Sequence, residues 1–200
     1  MTIIAFISQK GGVGKSTLSQ ALATEASKKK LKVLLADCDP QQASSYQWSQ
    51  INKKIPCQIF QQVKGLWPLT KDYDLIIIDG PARASQGTLE IAKKADLVIQ
   101  PTGASRLDLV PAVKEFHALT QAGIPKKKLL FVLTRLSTKA EAEASQEFLK
   151  ASGYHYSPVY LSEKASYRQT QNEGKAITEV SYPSLQKQAK ELVNSLLKYL

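Results

Sequence analysis

The chain has 200 residues, of which 43% are hydrophobic and 22% are charged, and this balance suits a globular domain with a substantial buried core. Its apolar runs are too short for a membrane span, and its two cysteines, Cys38 and Cys57, exclude both a disulfide framework and a CxxC redox pair. The formal net charge of +10 favours a polyanionic partner, nucleic acid or anionic lipid, over a role in solubility alone.

The first predicted strand covers residues 2–7, where β-branched and other apolar residues follow one another. A glycine-rich turn, QKGGVGKST at residues 9–17, separates this strand from a predicted helix. Strand, glycine-rich turn and helix together form the context of a phosphate-binding loop. Gly11, Gly12 and Gly14 let backbone N–H groups approach a triphosphate, because these residues have no Cβ atom.

The side chains that follow the glycines complete the predicted nucleotide site. Lys15 reaches the β- and γ-phosphates, and the hydroxyl of Ser16 ligates Mg²⁺. Thr17 is placed to hydrogen-bond the α-phosphate, and Val13 belongs to the same loop. The helix N-terminus adds positive potential at the phosphates. The predicted cofactors are therefore ATP or ADP and Mg²⁺.

One position departs from the general pattern G-x-x-x-x-G-K-[ST], because Gln9 stands where the first glycine is expected. A second lysine, Lys10, directly precedes the double glycine. The sequence KGGVGKS resembles the deviant Walker A loop of the ParA/MinD family of P-loop ATPases. This resemblance implies a P-loop NTPase fold and an ATP-sandwiched homodimer. In that dimer Lys10 crosses to the phosphates of the partner subunit, as an arginine finger does.

The next predicted strand, 33–37, ends in two aspartates. Carboxylates at the carboxyl end of a central strand lie beside the ligand crevice of an open α/β sheet. The segment DCDPQ at 37–41 is similar to the DxDPQ element of the ParA/MinD family. The resemblance implies that Asp39 orients the attacking water as a catalytic residue, together with Lys10 and Lys15, and that Asp37 lies near the metal.

A further apolar run, 75–78, is closed by Asp79. A continuous apolar run suits a parallel strand that is covered on both faces. An aspartate at its carboxyl end is the Walker B arrangement, in which the carboxylate holds Mg²⁺ through water. Many family members have a threonine next, so Gly80 is a departure. The segment 83–87 is a candidate switch.

The chain alternates between helices and strands over its remaining length. Helices are predicted at 43–53, 89–95, 109–122 and 140–151, and strands at 57–60, 96–101, 129–133 and 159–161. This alternation predicts a single α/β domain over 1–200, with a mostly parallel twisted sheet and helices on both faces. The resemblance implies that Thr134 and Arg135, at the end of one strand, frame the adenine. It also places 101–108 beside the nucleotide and the dimer partner.

Two runs of lysine have a structural interpretation. The run at 28–30 ends the helix predicted at 15–29, where cations complement the helix dipole. We interpret it as a helix end rather than as a DNA contact. The run at 126–128 is interpreted as a solvated turn.

The C-terminal segment 185–200 carries leucines, an alanine and a valine on one helical face. Such a face packs on the domain or lies on a membrane surface, as at the end of MinD. We favour packing, because the segment is only modestly basic and lacks tryptophan and phenylalanine. No membrane association is therefore expected.

The resemblance and the charge together imply an ATPase that binds DNA non-specifically and segregates plasmid or chromosomal DNA with a centromere-binding adapter. The candidate DNA contacts are Arg135, Lys139, Lys164 and Arg168. The first strand begins at once, so we expect the short form without an N-terminal DNA-binding extension, and no signal peptide. The expected location is the cytoplasm, on the nucleoid.

Three alternatives remain within the resemblance. They are a membrane-surface positioning ATPase like MinD, a positioner of a protein cargo, and an electron carrier like nitrogenase reductase. The last needs cluster cysteines in the middle of the chain, and none follows Cys57.

Overall fold

The computed structural model describes residues 1–82 and 86–199. The helices are α1 Lys15–Lys28, α2 Ser44–Asn52, α3 Gln86–Lys94, α4 Arg106–Gln121, α5 Lys139–Ala151, α6 Ala165–Asn172 and α7 Pro183–Leu197. The strands are β1 Thr2–Phe6, β2 Val33–Asp37, β3 Cys57–Ile59, β4 Leu75–Asp79, β5 Leu97–Thr102, β6 Leu129–Leu133 and β7 His155–Tyr156. Short 3₁₀ segments lie at Val63–Asp72, Lys126–Lys128 and Ile177–Glu179.

The seven described strands form one sheet in the order β3-β2-β4-β1-β5-β6-β7, and every pair between them is parallel. β1 is the middle strand of the seven. The chain places β2, β3 and β4 on one side of β1 and then reverses direction across the sheet, placing β5, β6 and β7 on the other side. In such a sheet the ligand crevice lies outside the carboxyl ends of the strands at this reversal. The loop that follows β1 therefore occupies the expected site.

Helices cover both faces of the sheet, as the strand composition requires. β2 and β4 are buried along their whole length, which fits strands that are packed on both sides. One apolar cluster joins one face of the sheet to α3, α4 and α5, and a second joins the other face to α1 and α7. The fold is a P-loop NTPase fold of the α/β class.

The C-terminal helix α7 confirms the expectation of packing. Ala189, Leu192, Val193, Leu196 and Leu197 are buried in the same cluster as α1. The predicted apolar face is therefore turned towards the domain. Among the described residues, no helix combines the length and apolarity that crossing a bilayer requires.

The strand predicted at 159–161 is wrong. The last strand is instead β7, and Ser162 forms an isolated bridge with Leu136. Pro158 explains the interruption, because it has no N–H group to donate to the sheet. Pairing resumes further along the chain, where the N–H group of Leu161 donates to the carbonyl of Leu133 at 2.9 Å.

Candidate functional site: a nucleotide-binding cleft at the carboxyl ends of the strands

The loop between β1 and α1 has the backbone geometry that the glycine pattern predicts. Gly12 and Gly14 have φ values of +73° and +97°, a region in which L side chains are strained. Gly14 is the N-cap of α1, and its carbonyl accepts a hydrogen bond from the N–H group of Leu18 at 3.0 Å. The loop therefore leads directly into a helix N-terminus, which is an anion-binding arrangement.

A cavity of about 170 Å³ opens over this loop, and we call it the phosphate cleft. It brings together residues that lie far apart in the sequence but follow β1, β2 and β4. Among the predicted site residues it contains Gly11, Gly12, Gly14, Lys15, Ser16, Thr17, Asp39 and Asp79. The other predicted residues of the phosphate, metal and catalytic set, Lys10, Val13 and Asp37, do not line it.

Lys15 lies at the floor of the phosphate cleft and is only 7% exposed. Its Nζ donates to the carbonyl of Ser8 at 3.3 Å. Burial lowers the pKa of Lys15, and nearby carboxylates oppose this shift. These are Asp79, Asp39 and Glu115. A desolvated ammonium group beside a glycine-rich loop is suited to bind a phosphate, whose charge compensates the burial.

Asp79 provides the test of whether the cleft fits Mg²⁺. One carboxylate oxygen accepts a hydrogen bond from the hydroxyl of Ser45 at 2.7 Å, and the other has no partner among the described residues. Burial and then the charge of Asp37 raise the pKa of Asp79 to about 7, while the hydroxyls of Ser45 and Ser16 oppose the shift. A divalent cation takes oxygen ligands and offsets such a cost. Ser16 and Asp79 therefore fit the metal.

Asp37 and Asp39 are arranged differently, although they stand two residues apart. Asp37 is fully buried, and its two oxygens accept the N–H groups of Asp39 and Tyr46, each at 3.0 Å. Tyr46 lies in the first turn of α2, so Asp37 caps that helix. Asp39 faces the phosphate cleft, and its carboxylate accepts the N–H groups of Gln42 and Ala82. The structure thus places Asp37 behind the cleft and Asp39 in it.

Lys10 lies outside the phosphate cleft, on the other side of the loop from Lys15. Its side chain is 48% exposed and forms an ion pair with Asp108, in the first turn of α4. The hydroxyl of Ser105 also donates to Asp108, at 2.7 Å. Partial burial opposes ionisation of Asp108, but the hydrogen bonds from Lys10 and Ser105 outweigh it and lower its pKa. The side chain of Lys15 therefore points into the phosphate cleft, whereas that of Lys10 points towards α4.

A second cavity of about 360 Å³ adjoins the phosphate cleft, and Gly12, Gly14 and Thr17 line both. We call it the base pocket. Thr134 and Arg135, the two residues predicted to frame the adenine, line it. The remaining lining comes from Leu161, Ser162, Glu163, Lys164, Tyr167, Arg168 and Gln171, which the sequence did not single out for this role.

Thr134 and Arg135 also brace the phosphate loop. The hydroxyl of Thr134, which is 1% exposed, donates to the carbonyl of Val13 at 2.7 Å. The guanidinium of Arg135 donates to the carbonyl of Gly12 at 3.1 Å. Both contacts fix carbonyl groups of the loop, so that its N–H groups are free to face the phosphate cleft.

Three of the four candidate DNA contacts form ion pairs with acidic residues. Arg135 and Arg168 both form ion pairs with Glu163 at the edge of the base pocket. Lys139 pairs with Glu143 at 3.2 Å on the surface of α5. Lys164 lines the base pocket. The structure thus gives Arg135, Arg168 and Lys164 a place beside the base pocket.

Gly80 is explained by the close approach of two strands. A Cβ atom at this position would lie 2.6 Å from the carbonyl oxygen of Phe6, which also accepts the N–H group of Gly80 at 2.9 Å. A threonine could not be accommodated here without a shift of the backbone. Of the candidate switch at 83–87, residues 83–85 lie outside the described part of the chain.

A buried carboxylate below the loop was missed by the sequence analysis. Glu115, on α4, is 6% exposed and accepts the N–H group of Gln9 at 3.1 Å and the side-chain amide of Gln100 at 2.6 Å. The N–H group of Gln9 lies directly before Lys10 in the loop. The carboxylate therefore anchors the start of the loop to α4. No sequence spacing between Glu115 and the loop could have revealed this contact.

These features define a nucleotide-binding protein of the P-loop class. The chain matches the family described as CobQ/CobB/MinD/ParA nucleotide binding domain over residues 4–177. It therefore belongs to the ParA/MinD family of ATPases.

Similar proteins agree with this assignment. "Maintenance of carboxysome distribution protein A" from Gloeobacter kilaueensis is 27% identical over 183 residues, which cover 88% of this chain and 83% of the relative. A Cyanothece McdA variant in complex with ATP superposes with a TM-score of 0.76 at 20% identity, covering 98% and 96% of the two chains. A plasmid partition protein from Borrelia burgdorferi gives a TM-score of 0.65 at 21% identity, covering 100% and 99%.

Proposed function

We propose that this chain is a Mg²⁺-dependent ATPase that closes into a homodimer around ATP. In that state it binds DNA without sequence preference and drives the partition of plasmid or chromosomal DNA with a centromere-binding adapter. The observation that carries the proposal is the divergence of the two loop lysines. Lys15 is buried in the phosphate cleft, whereas Lys10 is half exposed and directed away from it. A lysine in that place is available to the nucleotide of a second protomer.

The proposed chemistry relies on positioning and charge neutralisation. Lys15 and the loop N–H groups hold the β- and γ-phosphates, and Asp39 orients the attacking water. Ser16 and Asp79 would hold Mg²⁺, while Asp37 positions α2 from behind the cleft. When bound, Mg²⁺ neutralises charge on the phosphates. Lys10 of the second protomer adds a positive charge where negative charge develops.

Positioning of a protein cargo is the second candidate function. The name of the Gloeobacter relative, which aligns with 88% of this chain, favours it. The same nucleotide cycle would serve either cargo. The alternative of a membrane-surface positioning ATPase like MinD has less support, because the apolar face of α7 is packed against α1.

Co-sedimentation with DNA and with anionic vesicles, each with ATP and with ADP, tests the proposal. We expect the wild-type protein to sediment with DNA in an ATP-dependent manner, and Lys15→Ala to lose that dependence. ATP-dependent sedimentation with vesicles and not with DNA would contradict it. Capture of neighbouring gene products by the ATP-bound protein then separates the two cargoes, because a centromere-binding adapter supports partition and a compartment protein supports the second candidate.

A further inference from the structure

The positive charge of this chain is concentrated at one edge of the sheet. Because all described strands are parallel, the residues that lead into them lie together at the edge opposite the phosphate cleft. These segments contain thirteen lysines and three aspartates, and the carboxylates of Glu25 and Glu179 also reach this edge at Lys28, so these groups sum to +8 of the net charge of +10. We call the lysines the lysine edge: Lys28, Lys29, Lys30, Lys32, Lys53, Lys54, Lys71, Lys93, Lys94, Lys126, Lys127, Lys128 and Lys150.

The lysine edge runs along the sheet on both sides of β1, the middle strand, which no lysine precedes. The starts of β2, β4 and β1 are level, with Val33 and Thr2 both opposite Leu75, and β5 and β6 start within one residue of each other, with Val98 opposite Leu129. Lysines precede six of the seven strands, and seven strands at about 4.8 Å spacing span about 29 Å. That length is close to one turn of duplex DNA, about 34 Å.

The charge of this edge is available to a partner. Twelve of the thirteen lysines are exposed, and Lys128 is partly buried. Within the described ranges, 1–82 and 86–199, an ion pair is found at this edge for Lys28 alone. Two of the three aspartates are engaged by the backbone, because Asp74 accepts the N–H group of Lys32 and Asp96 accepts that of Ile3, both at 2.8 Å.

Helix ends alone do not account for this pattern. Cations in a last helical turn complement the helix dipole, which explains Lys28, Lys93, Lys94 and Lys150. Lys54, Lys71 and Lys127, however, lie outside the α-helices. Besides the ion-paired Lys28, Lys128 donates to the carbonyl of Ala95 at 2.8 Å, and Lys126 and Lys32 lie over the rings of Tyr154 and Tyr73.

We propose that the lysine edge binds the phosphate backbone of duplex DNA, one duplex for each protomer and without a need for nucleotide. The proposal deepens the proposed function, because it takes DNA as the partner from there. α1 separates this edge from the phosphate cleft by about 21 Å, the length of fourteen helical residues. If two phosphate clefts face each other in the dimer, the two lysine edges point outwards. ATP then tightens binding to long DNA by linking two sites, not by building a new surface.

Two matched variants test the location of the site. Lys94→Gln/Lys127→Gln removes two charges from the lysine edge. Lys114→Gln/Lys187→Gln removes two exposed charges elsewhere, one from α4 and one from α7. The probe is a duplex of about 20 base pairs, two helical turns, titrated over a range of salt concentrations without nucleotide. We expect the first variant to lower the slope of log K against log salt by about 2, and the second to leave it unchanged.

The other results overturn the inference. An equal decrease of the salt slope in both variants means that DNA binding depends only on net charge. A decrease confined to the second variant places the DNA elsewhere. Tighter binding of the wild type to phosphatidylserine vesicles than to the duplex, at equal salt, makes lipid the partner. ATP turnover is measured on the same samples. Absent turnover with intact duplex binding defeats the proposed function and leaves this inference standing.

Discussion

Lys10 and Asp108 form an ion pair that joins the phosphate-binding loop to the first turn of α4. The Lys10 side chain is 48% exposed, and exposed ion pairs contribute about 0–1 kcal/mol. The pair therefore gives Lys10 a defined position in the free protomer and costs little to break. A lysine held in this way is free to exchange Asp108 for a phosphate of another protomer.

Loss of this ion pair should hardly change stability. We expect Asp108→Asn to lower the free energy of unfolding by about 1 kcal/mol or less, because Asn retains an acceptor for Ser105. Urea denaturation of Lys10→Ala, Asp108→Asn and the double variant measures the coupling between the two residues. A coupling of several kcal/mol would show that the pair locks the loop, and would contradict this account.

The Asp79 carboxyl should make stability depend on pH. Its pKa is raised to about 7, above the ordinary value of 3.8, so the unfolded chain releases this proton first. Stability contributed by the protonated form is therefore full below about pH 4 and is lost as the pH rises towards 7. In the nucleotide-free protein we expect Asp79→Asn to be more stable than the wild type at pH 8, by about 1–3 kcal/mol, and similar to it at pH 4.

Urea unfolding at the two pH values checks this prediction. Asp39→Asn is the matched control, because Asp39 borders the same cleft but is less buried and is not expected to gain stability at pH 8. A difference between Asp79→Asn and the wild type that is the same at both pH values would count against a buried, protonated Asp79.

Thr134 should affect nucleotide affinity through the loop. Thr134→Val keeps the shape of the side chain but removes the hydrogen bond to the carbonyl of Val13. A net loss of about 1 kcal/mol corresponds to roughly a fivefold weaker affinity for ADP. Calorimetric titration measures it. Thr24→Val is the control, because it removes a similar hydrogen bond, to Gln20 at 2.9 Å within α1; equal weakening in both variants would argue against a specific role of Thr134.

Substitutions of Glu115 should show whether the shape or the charge of this side chain supports the loop. One oxygen of Glu115 and the side-chain oxygen of Gln100 are buried without a partner in the described part of the chain. In Glu115→Gln, the new amide can donate to Gln100 and its oxygen can still accept from Gln9. We therefore expect Glu115→Gln to keep ATP turnover, whereas Glu115→Ala leaves the N–H group of Gln9 unpaired and weakens nucleotide binding. Comparing KM and kcat for the two variants tests this, and an equal loss in both would contradict it.

The sequence predicted most of the fold because its strands are short apolar runs with clear ends. The runs at 75–78 and 129–133 became β4 and β6, each of which pairs with a strand on both sides. The strand predicted at 159–161 failed because Pro158 interrupts the pairing with β6, which resumes only at Leu161. The 3₁₀ segment Val63–Asp72 was not predicted, since it contains a proline and a glycine and shows no helical or strand periodicity.

The sequence predicted those parts of the site whose residues are contiguous in the chain. The phosphate loop is nine contiguous residues, so its composition determines its geometry. The DxDPQ motif also singled out Asp39, which the structure places in the phosphate cleft. It could not show that Asp37 caps α2, because this depends on how the chain turns after β2. Contacts of Asp108 and Glu115 with the loop span about a hundred residues, and only the packing of α4 creates them.

The central claim is that Lys10 acts on the nucleotide of a second protomer. The most direct test is sedimentation equilibrium with ATP and Mg²⁺, combined with turnover, for the wild type and Lys10→Ala. Lys139→Ala serves as the control for loss of an exposed lysine. We predict that the wild type and the control form ATP-dependent dimers, and that Lys10→Ala stays monomeric and loses about 10³-fold or more in turnover. A Lys10→Ala protein that dimerises and hydrolyses ATP as the wild type does would contradict the account.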